Sequence, residues 1–247
     1  MSISSRRRRL AVAGSVAAAI LIPAVQQAGD FGMDQSTFAA QGDSTLRAPG
    51  FAFAIWTVIY LGLGIYAVYQ TRARDSRALR ALGWPAALAA AGCGAWIVAA
   101  ALNQMWLSVA IILVSAATAF AGLLRAAPLA SDRDRVLAVL PVALLAGWLT
   151  VAAPLNVLTA LTAKGLVAPD AASYFALGGI GVAGAVGMAV AWRSGSRAYP
   201  LPVAWGLAAL YVAQRGDKPV VAMAAAVAAA LMLLTSAALV LRGRRRG

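Results

Sequence analysis

From Ala86 to Leu124 no charged residue interrupts the chain. A run of that length is roughly twice what one membrane-spanning helix needs, since about 20 apolar residues cross the hydrocarbon core. It must therefore hold two spans and a turn, and the turn belongs where polar side chains cluster, at Asn103–Ser108. No soluble domain of 247 residues hides a chain that is 62% hydrophobic and 12% charged, so the protein is integral to a membrane. The apolar runs are far longer than strands and lack the dyad alternation of a membrane barrel; the spans are helices and the fold class is all-α.

By the same criterion eight apolar runs are expected to span, at 10–28, 50–70, 85–105, 107–125, 136–162, 172–192, 199–213 and 219–241. The run at 199–213 is short and holds Pro200 and Pro202, so it either crosses with little tilt or is re-entrant; the basic C-terminus favours a crossing. Residues 10–28 follow Arg6–Arg9 as a signal peptide would, but Gln26 stands where cleavage wants a small residue, and an anchored helix is expected. With the N-terminus cytoplasmic, seventeen of the 21 basic residues lie on that side. They are Arg6 to Arg9, Arg72, Arg74, Arg77, Arg80, Arg125, Arg133, Arg135, Arg193, Arg197, Arg242 and Arg244 to Arg246. Only Arg47, Lys164, Arg215 and Lys218 fall opposite. This asymmetry predicts a bacterial inner-membrane protein with both termini cytoplasmic. It also accounts for the net charge of +13 as an orientation signal facing anionic lipid, so the bilayer and not nucleic acid is the expected partner.

Catalytic chemistry has little to work with. The chain has no His and no Glu, which excludes His-ligated metal or haem and His-based acid–base catalysis. Cys93, the single cysteine, excludes a disulfide framework and reads as a small packing residue in an Ala/Gly-rich run. No phosphate loop, dinucleotide fingerprint or catalytic triad is present. The polar segment 29–48 is long enough to lid a cavity opening on its side of the membrane. Gly178, Gly181, Gly184 and Gly187, with Gly179, form a small-residue stripe that predicts close helix–helix contact.

Three segments carry more than apolar bulk. Phe53, Trp56, Tyr60 and Gly64 share one face of the second span, with Pro49 at its start. Asn103 and Trp106 share a face at the end of the third. On the fifth, Trp148, Ala152 and Asn156 recur every four residues, with Leu155 beside the amide: a small residue between an indole and a hydrogen-bonding tip. Singly, such residues serve as interface anchors or interhelical glue. Converging, they make a mostly apolar pocket with a few fixed polar groups, suited to a flat hydrophobic ligand. Trp56, Trp106 and Trp148 would then supply stacking surface, Asn103 and Asn156 hydrogen bonds, and Ala152 room.

The spacings Pro49-x3-Phe53-x2-Trp56-x3-Tyr60-x3-Gly64, Asn103-x2-Trp106 and Trp148-x3-Ala152-x2-Leu155-Asn156 resemble the TspO/MBR family, the translocator or tryptophan-rich sensory proteins, over about residues 10–162. The resemblance implies a five-helix bundle around a pocket for porphyrins, sterols or similar molecules, often in a homodimer, lined here by Trp56, Asn103, Trp106, Trp148, Ala152 and Leu155. The family's Trp-Tyr pair before the second helix, its Pro-Pro doublet and its Phe-Phe after the third-helix Trp are missing. Bacterial relatives are associated with light-dependent porphyrin breakdown, in which a loop Trp looks central; here the loop from Gly29 to Ala48 offers only Phe31 and Phe38.

The resulting expectation has two parts: residues 1–165 as a TspO-like five-helix bundle, and residues 166–247 as a three-helix extension with a basic tail. The expected function is binding of a tetrapyrrole or sterol-like ligand for sensing or handling, without catalysis and with no resident cofactor or metal. Transport of a small amphipathic solute is the alternative. No ionisable residue at mid-membrane depth is available to couple an ion.

Overall fold

The computed structural model describes residues 3–244; Arg245 and Arg246 of the basic tail lie outside them. Eight long helices make up the bundle: α1 (Ile3–Gly29), α2 (Ile55–Arg72), α3 (Arg77–Ala101), α4 (Met105–Ala126), α5 (Leu140–Ala163), α6 (Ala172–Ser194), α7 (Pro200–Gln214) and α8 (Pro219–Arg244). No strand occurs among the described residues. Seven of these segments are long and apolar enough to cross a membrane. The eighth, α7, has 15 residues, a rise of about 22 Å against a hydrocarbon core of about 30 Å.

Helices outrun the apolar runs at their charged ends, because hydropathy marks the hydrocarbon and not the hydrogen-bonded ladder. Thus α3 begins at Arg77, where the Ser76 hydroxyl caps it by accepting the Leu79 N–H at 3.1 Å, eight residues before the apolar run. The forty-residue run breaks at Leu102–Gln104. Asn103 adopts φ +53° there, a left-handed conformation that Asn tolerates better than most side chains.

α5 is the centre of the bundle, packed against α2, α4, α6 and α7, while α1 lies along α2 and α3 and α8 along α6 and α7. At one end, Arg8 pairs with Asp75, Arg9 donates to the Thr71 and Ala73 carbonyls (2.9 and 2.8 Å), and Tyr69 donates to the buried Asp134 (3.0 Å). The other end is closed by segment 30–48, where Thr162 meets Thr45 (2.7 Å) and Lys218 donates to the carbonyls of Ser44 and Thr45 (2.6 and 2.9 Å). These two ends are called the basic end and the lid end below.

Contacts at both termini of α7 settle its course. Lys218, just beyond its C-terminus, is at the lid end, whereas the Arg197 carbonyl, just before its N-terminus, accepts from Ser236 far along α8. The helix therefore runs between opposite ends of the bundle. It is short because the 195–199 connection dips inward: Tyr199 is fully buried, its hydroxyl 2.6 Å from that of Thr150, and the bare Gly147 admits its carbonyl. Both described termini consequently lie at the basic end.

The glycine stripe of α6 divides in two. A Cβ at Gly179 would meet Leu158 at 2.7 Å and one at Gly187 would meet Met232 at 3.1 Å, so these are close contacts as expected. Gly178 and Gly181 face open space, and a Cβ at Gly184 would reach only Ala228, at 4.0 Å. Three-residue spacing drifts around a helix of 3.6 residues per turn, so the stripe cannot hold one contact line.

Candidate functional site

The start of α2 is a 3-10 turn, Gly50–Ala54, with Pro49 at its N-cap. The turn carries Phe53 inward, and Trp56 follows on the first helical turn. Both rings stand edge-on to Trp148 of α5 at centroid distances of 6.2 Å, and Tyr60 stacks on Trp56 at 5.1 Å. Around these rings lies a cavity of about 60 Å³. Its walls are Phe53 and Trp56, Cys93 and Trp96 of α3, Ile112 and Ser115 of α4, and Trp148, Ala152, Leu155 and Asn156 of α5. Phe38, Ala39, Leu46 and Ala48 roof it from the lid segment. Gly206 of α7 also lines it, so the three-helix segment contributes to the site.

Asn156 is the polar corner. Its Oδ1 accepts from the Trp96 indole N–H at 3.1 Å, and its Nδ2 donates to Ser108 Oγ at 3.0 Å. The Ser108 hydroxyl in turn donates to the Met105 carbonyl at 2.7 Å. A buried amide left unpaired among helices would cost several kcal/mol; this chain of bonds fixes its orientation. An amide has two N–H donors and two acceptor lone pairs, so one of each remains for a ligand.

Of the nine residues expected at the site, six line the cavity: Phe53, Trp56, Trp148, Ala152, Leu155 and Asn156. Tyr60 is one ring removed, behind Trp56. Asn103 and Trp106 are not brought to it. Asn103 lies in the α3–α4 turn, outside any helix face, and accepts from Gln41 of the lid at 3.0 Å. Trp106, one residue into α4, is 51% exposed on the bundle surface. Their i, i+3 spacing implied a shared face only if one helix ran through both, and the turn between them removes that condition. The residues missed from sequence are Trp96 and Phe38, edge-on to each other at 5.8 Å, together with Ser108 and Gly206. A signal for Trp96 existed: Cys93 and Trp96 share a helical face, and a buried indole N–H demands an acceptor.

The roof is a short helix, Gln35–Ala40, whose N-cap Asp34 accepts the N–H groups of Ser36 (2.7 Å) and Thr37 (2.9 Å) and the Thr37 hydroxyl (2.7 Å). The Thr37 hydroxyl and amide hold the Asp34 carboxyl below the usual carboxylate range. Bonds from Gln26 to the Met33 carbonyl (2.8 Å), from Gln41 to Asn103 and from Lys218 to Ser44 and Thr45 fix the roof to α1, to the α3–α4 turn and to the connection after α7. The Trp205 indole of α7 donates to the Ala52 carbonyl at 2.9 Å, tying α7 to the turn that presents Phe53.

An aromatic cavity with one amide corner, enclosed by helices that cross a membrane, defines a polytopic membrane protein built around a small apolar chamber. The chain matches the family described as TSPO-like protein over residues 9–238, and it belongs to that family. The match runs through the three C-terminal helices as well as the five that carry the aromatic and amide residues. No curated protein and no solved structure matches the chain.

Proposed function

We propose that the protein binds a flat hydrophobic molecule, a tetrapyrrole or a sterol-like compound, for sensing or handling. The observation that carries this reading is the cavity itself, in which Phe53, Trp56, Trp96 and Trp148 surround the single amide corner of Asn156. Drug-sized ligands occupy sites of roughly 300–1,000 Å³, far above the 60 Å³ enclosed here. Binding therefore entails a displacement of the walls or roof, and Phe38 is the largest roof side chain. Titration of the purified protein with protoporphyrin, haem and sterols, followed by Trp fluorescence, tests the reading. Saturable quenching is expected, and Ala152→Leu should abolish it while shifting thermal stability little, because the added bulk enters a void. Equal loss of stability and binding would mark Ala152 as packing and reject the site.

We further propose that the basic end faces the cytoplasm of a bacterial inner membrane, on the positive-inside argument. Binding is proposed without catalysis: a phenylalanine roof is a poor electron donor to a photoexcited ring. Faster loss of protoporphyrin absorbance under light and oxygen with protein than with detergent alone, abolished by Trp96→Phe, would overturn that. A homodimer, as the family resemblance implies, is proposed to pair through the shallow groove where Gly181 and Gly184 of α6 face Ala224 and Ala228 of α8.

A further inference from the structure

α5 separates two voids. On its other side lies a cleft of about 720 Å³ between α4, α5 and α6, bordered by Leu113, Phe120, Val157, Phe175 and Val182. Leu113, Phe175 and Val182 are 40–54% exposed on apolar stretches of crossing helices, so the cleft opens sideways to the hydrocarbon and not to water. Leu149 borders both the cleft and the enclosed cavity. The seam around it is made of small side chains, with Ser115 and Ala152 on the cavity side and Ala116 and Ala153 on the cleft side. One turn beyond, Pro154 lies inside α5. Proline has no N–H for the Thr150 carbonyl, so the ladder of α5 is interrupted at the septum, where a helix bends most readily.

We infer that this cleft is a membrane-side binding site for a planar apolar molecule dissolved in the bilayer, and that the molecule passes from it into the cavity when Leu149 swings aside. The ligand class rests on the function proposed above; the route rests on the two voids and their shared wall. The cleft has the volume that the cavity lacks. A molecule that partitions into lipid reaches it without crossing the polar lid.

Cys93, the only cysteine, lines the cavity and reports on the route without any natural ligand. The experiment treats the full chain in phosphatidylcholine nanodiscs with N-phenylmaleimide, which partitions into the bilayer, and follows Cys93 modification by mass spectrometry. Leu149→Ala should speed modification about tenfold, the factor that corresponds to ~1.4 kcal/mol off a barrier. Gly178→Trp fills the cleft from a position where a side chain meets open space, so the fold is kept; it should slow modification by a similar factor. Lys218→Ala, which unlatches the roof from outside the cavity wall, should leave the rate within about twofold. A rate raised by Lys218→Ala and indifferent to Leu149→Ala and Gly178→Trp overturns the route. A parallel stopped-flow titration with protoporphyrin IX separates this inference from the binding reading. Saturable binding whose association rate ignores Gly178→Trp rejects the cleft and leaves the pocket standing. Cys93 labelling controlled by Leu149 and Gly178, with no porphyrin binding, rejects the ligand class and leaves the route.

Discussion

The first five helices and the last three solve the problem of burying helix surface differently. α2 to α5 bring together indoles and one amide, with the Trp96–Asn156–Ser108 chain as their buried polar link. α6 and α8 present alanine and glycine to each other and to the outside. α7 belongs to the second group by position and to the first by contact: Trp205 bonds the turn before α2, Gly206 lines the cavity, and Lys218 beyond it latches the roof. The difference teaches that the three-helix segment is no passive appendage, since one of its helices lines the cavity and bonds the turn that carries Phe53.

The sharpest way to break that comparison is Gly206→Leu. A Cβ at Gly206 would already stand 3.0 Å from Val151 Cγ1 and 3.2 Å from its Cβ. Overpacking so close costs ~1–3 kcal/mol, and the upper end is expected because the obstructing Cβ belongs to Val151 on the central helix and cannot rotate away. Thermal stability and ligand quenching should fall together. Quenching that survives at wild-type affinity would show that α7 does not complete the site.

Next in size is Asn156→Leu. The Trp96 N–H would lose its acceptor, and an orphaned buried donor costs ~1–3 kcal/mol. Removing both partners is far milder than removing one, so Asn156→Leu with Trp96→Phe should regain most of the lost stability in a thermal melt. A double variant no better than the single would mean that Asn156 acts through Ser108 alone.

A smaller effect separates the two kinds of glycine on α6. Gly187→Leu should destabilise the monomer in detergent, because Met232 and Val203 stand at 3.1 and 3.4 Å from its Cβ position. Gly184→Leu should leave the monomer within ~0.5 kcal/mol, as surface substitutions do, and alter only a dimer. A monomer destabilised equally by both would restore the stripe as one packing line.

How much of this was legible follows from what each residue needed. The seven helices long and apolar enough to cross were readable, because lipid demands continuous apolar length; the expected eighth span, α7, has only 15 residues. Trp148, Ala152 and Asn156 were readable as a face, because one helix, α5, carries all three even though Pro154 removes one bond from its ladder. The fate of Asn103 was not: the turn has no Gly or Pro, and it is Asn103 itself, at φ +53°, that reverses the chain. Trp96 was obscured because its partner Asn156 lies 60 residues away. The role of α7 was hidden more deeply, since Trp205 and Lys218 both bind backbone carbonyls, which any sequence supplies.

The smallest effect tests how the roof is held. Asp34 caps the Gln35–Ala40 helix, and its carboxyl titrates below the ordinary value because the ionised form accepts three hydrogen bonds at Thr37 and Ser36. A carboxylate whose folded pKa is depressed contributes stability above its unfolded pKa, near 3.8, and loses it as pH falls through the lower folded value. The roof should therefore be equally ordered from pH 5 to pH 8 and loosen only below about pH 4. Asp34→Asn keeps a capping oxygen and should remove this acid sensitivity with little cost near neutrality, whereas Asp34→Ala should cost the roof helix ~1 kcal/mol from pH 5 to pH 8, a cost that shrinks as the wild-type carboxylate protonates. Amide hydrogen exchange at Ser36, Thr37 and Phe38 measures each case locally, without requiring global unfolding. Exchange in the wild type that accelerated between pH 5 and pH 7, after correction for the intrinsic rate, would show that another group governs the roof. Exchange unchanged by Asp34→Ala would show that Lys218, Gln41 and Gln26 hold it without the cap.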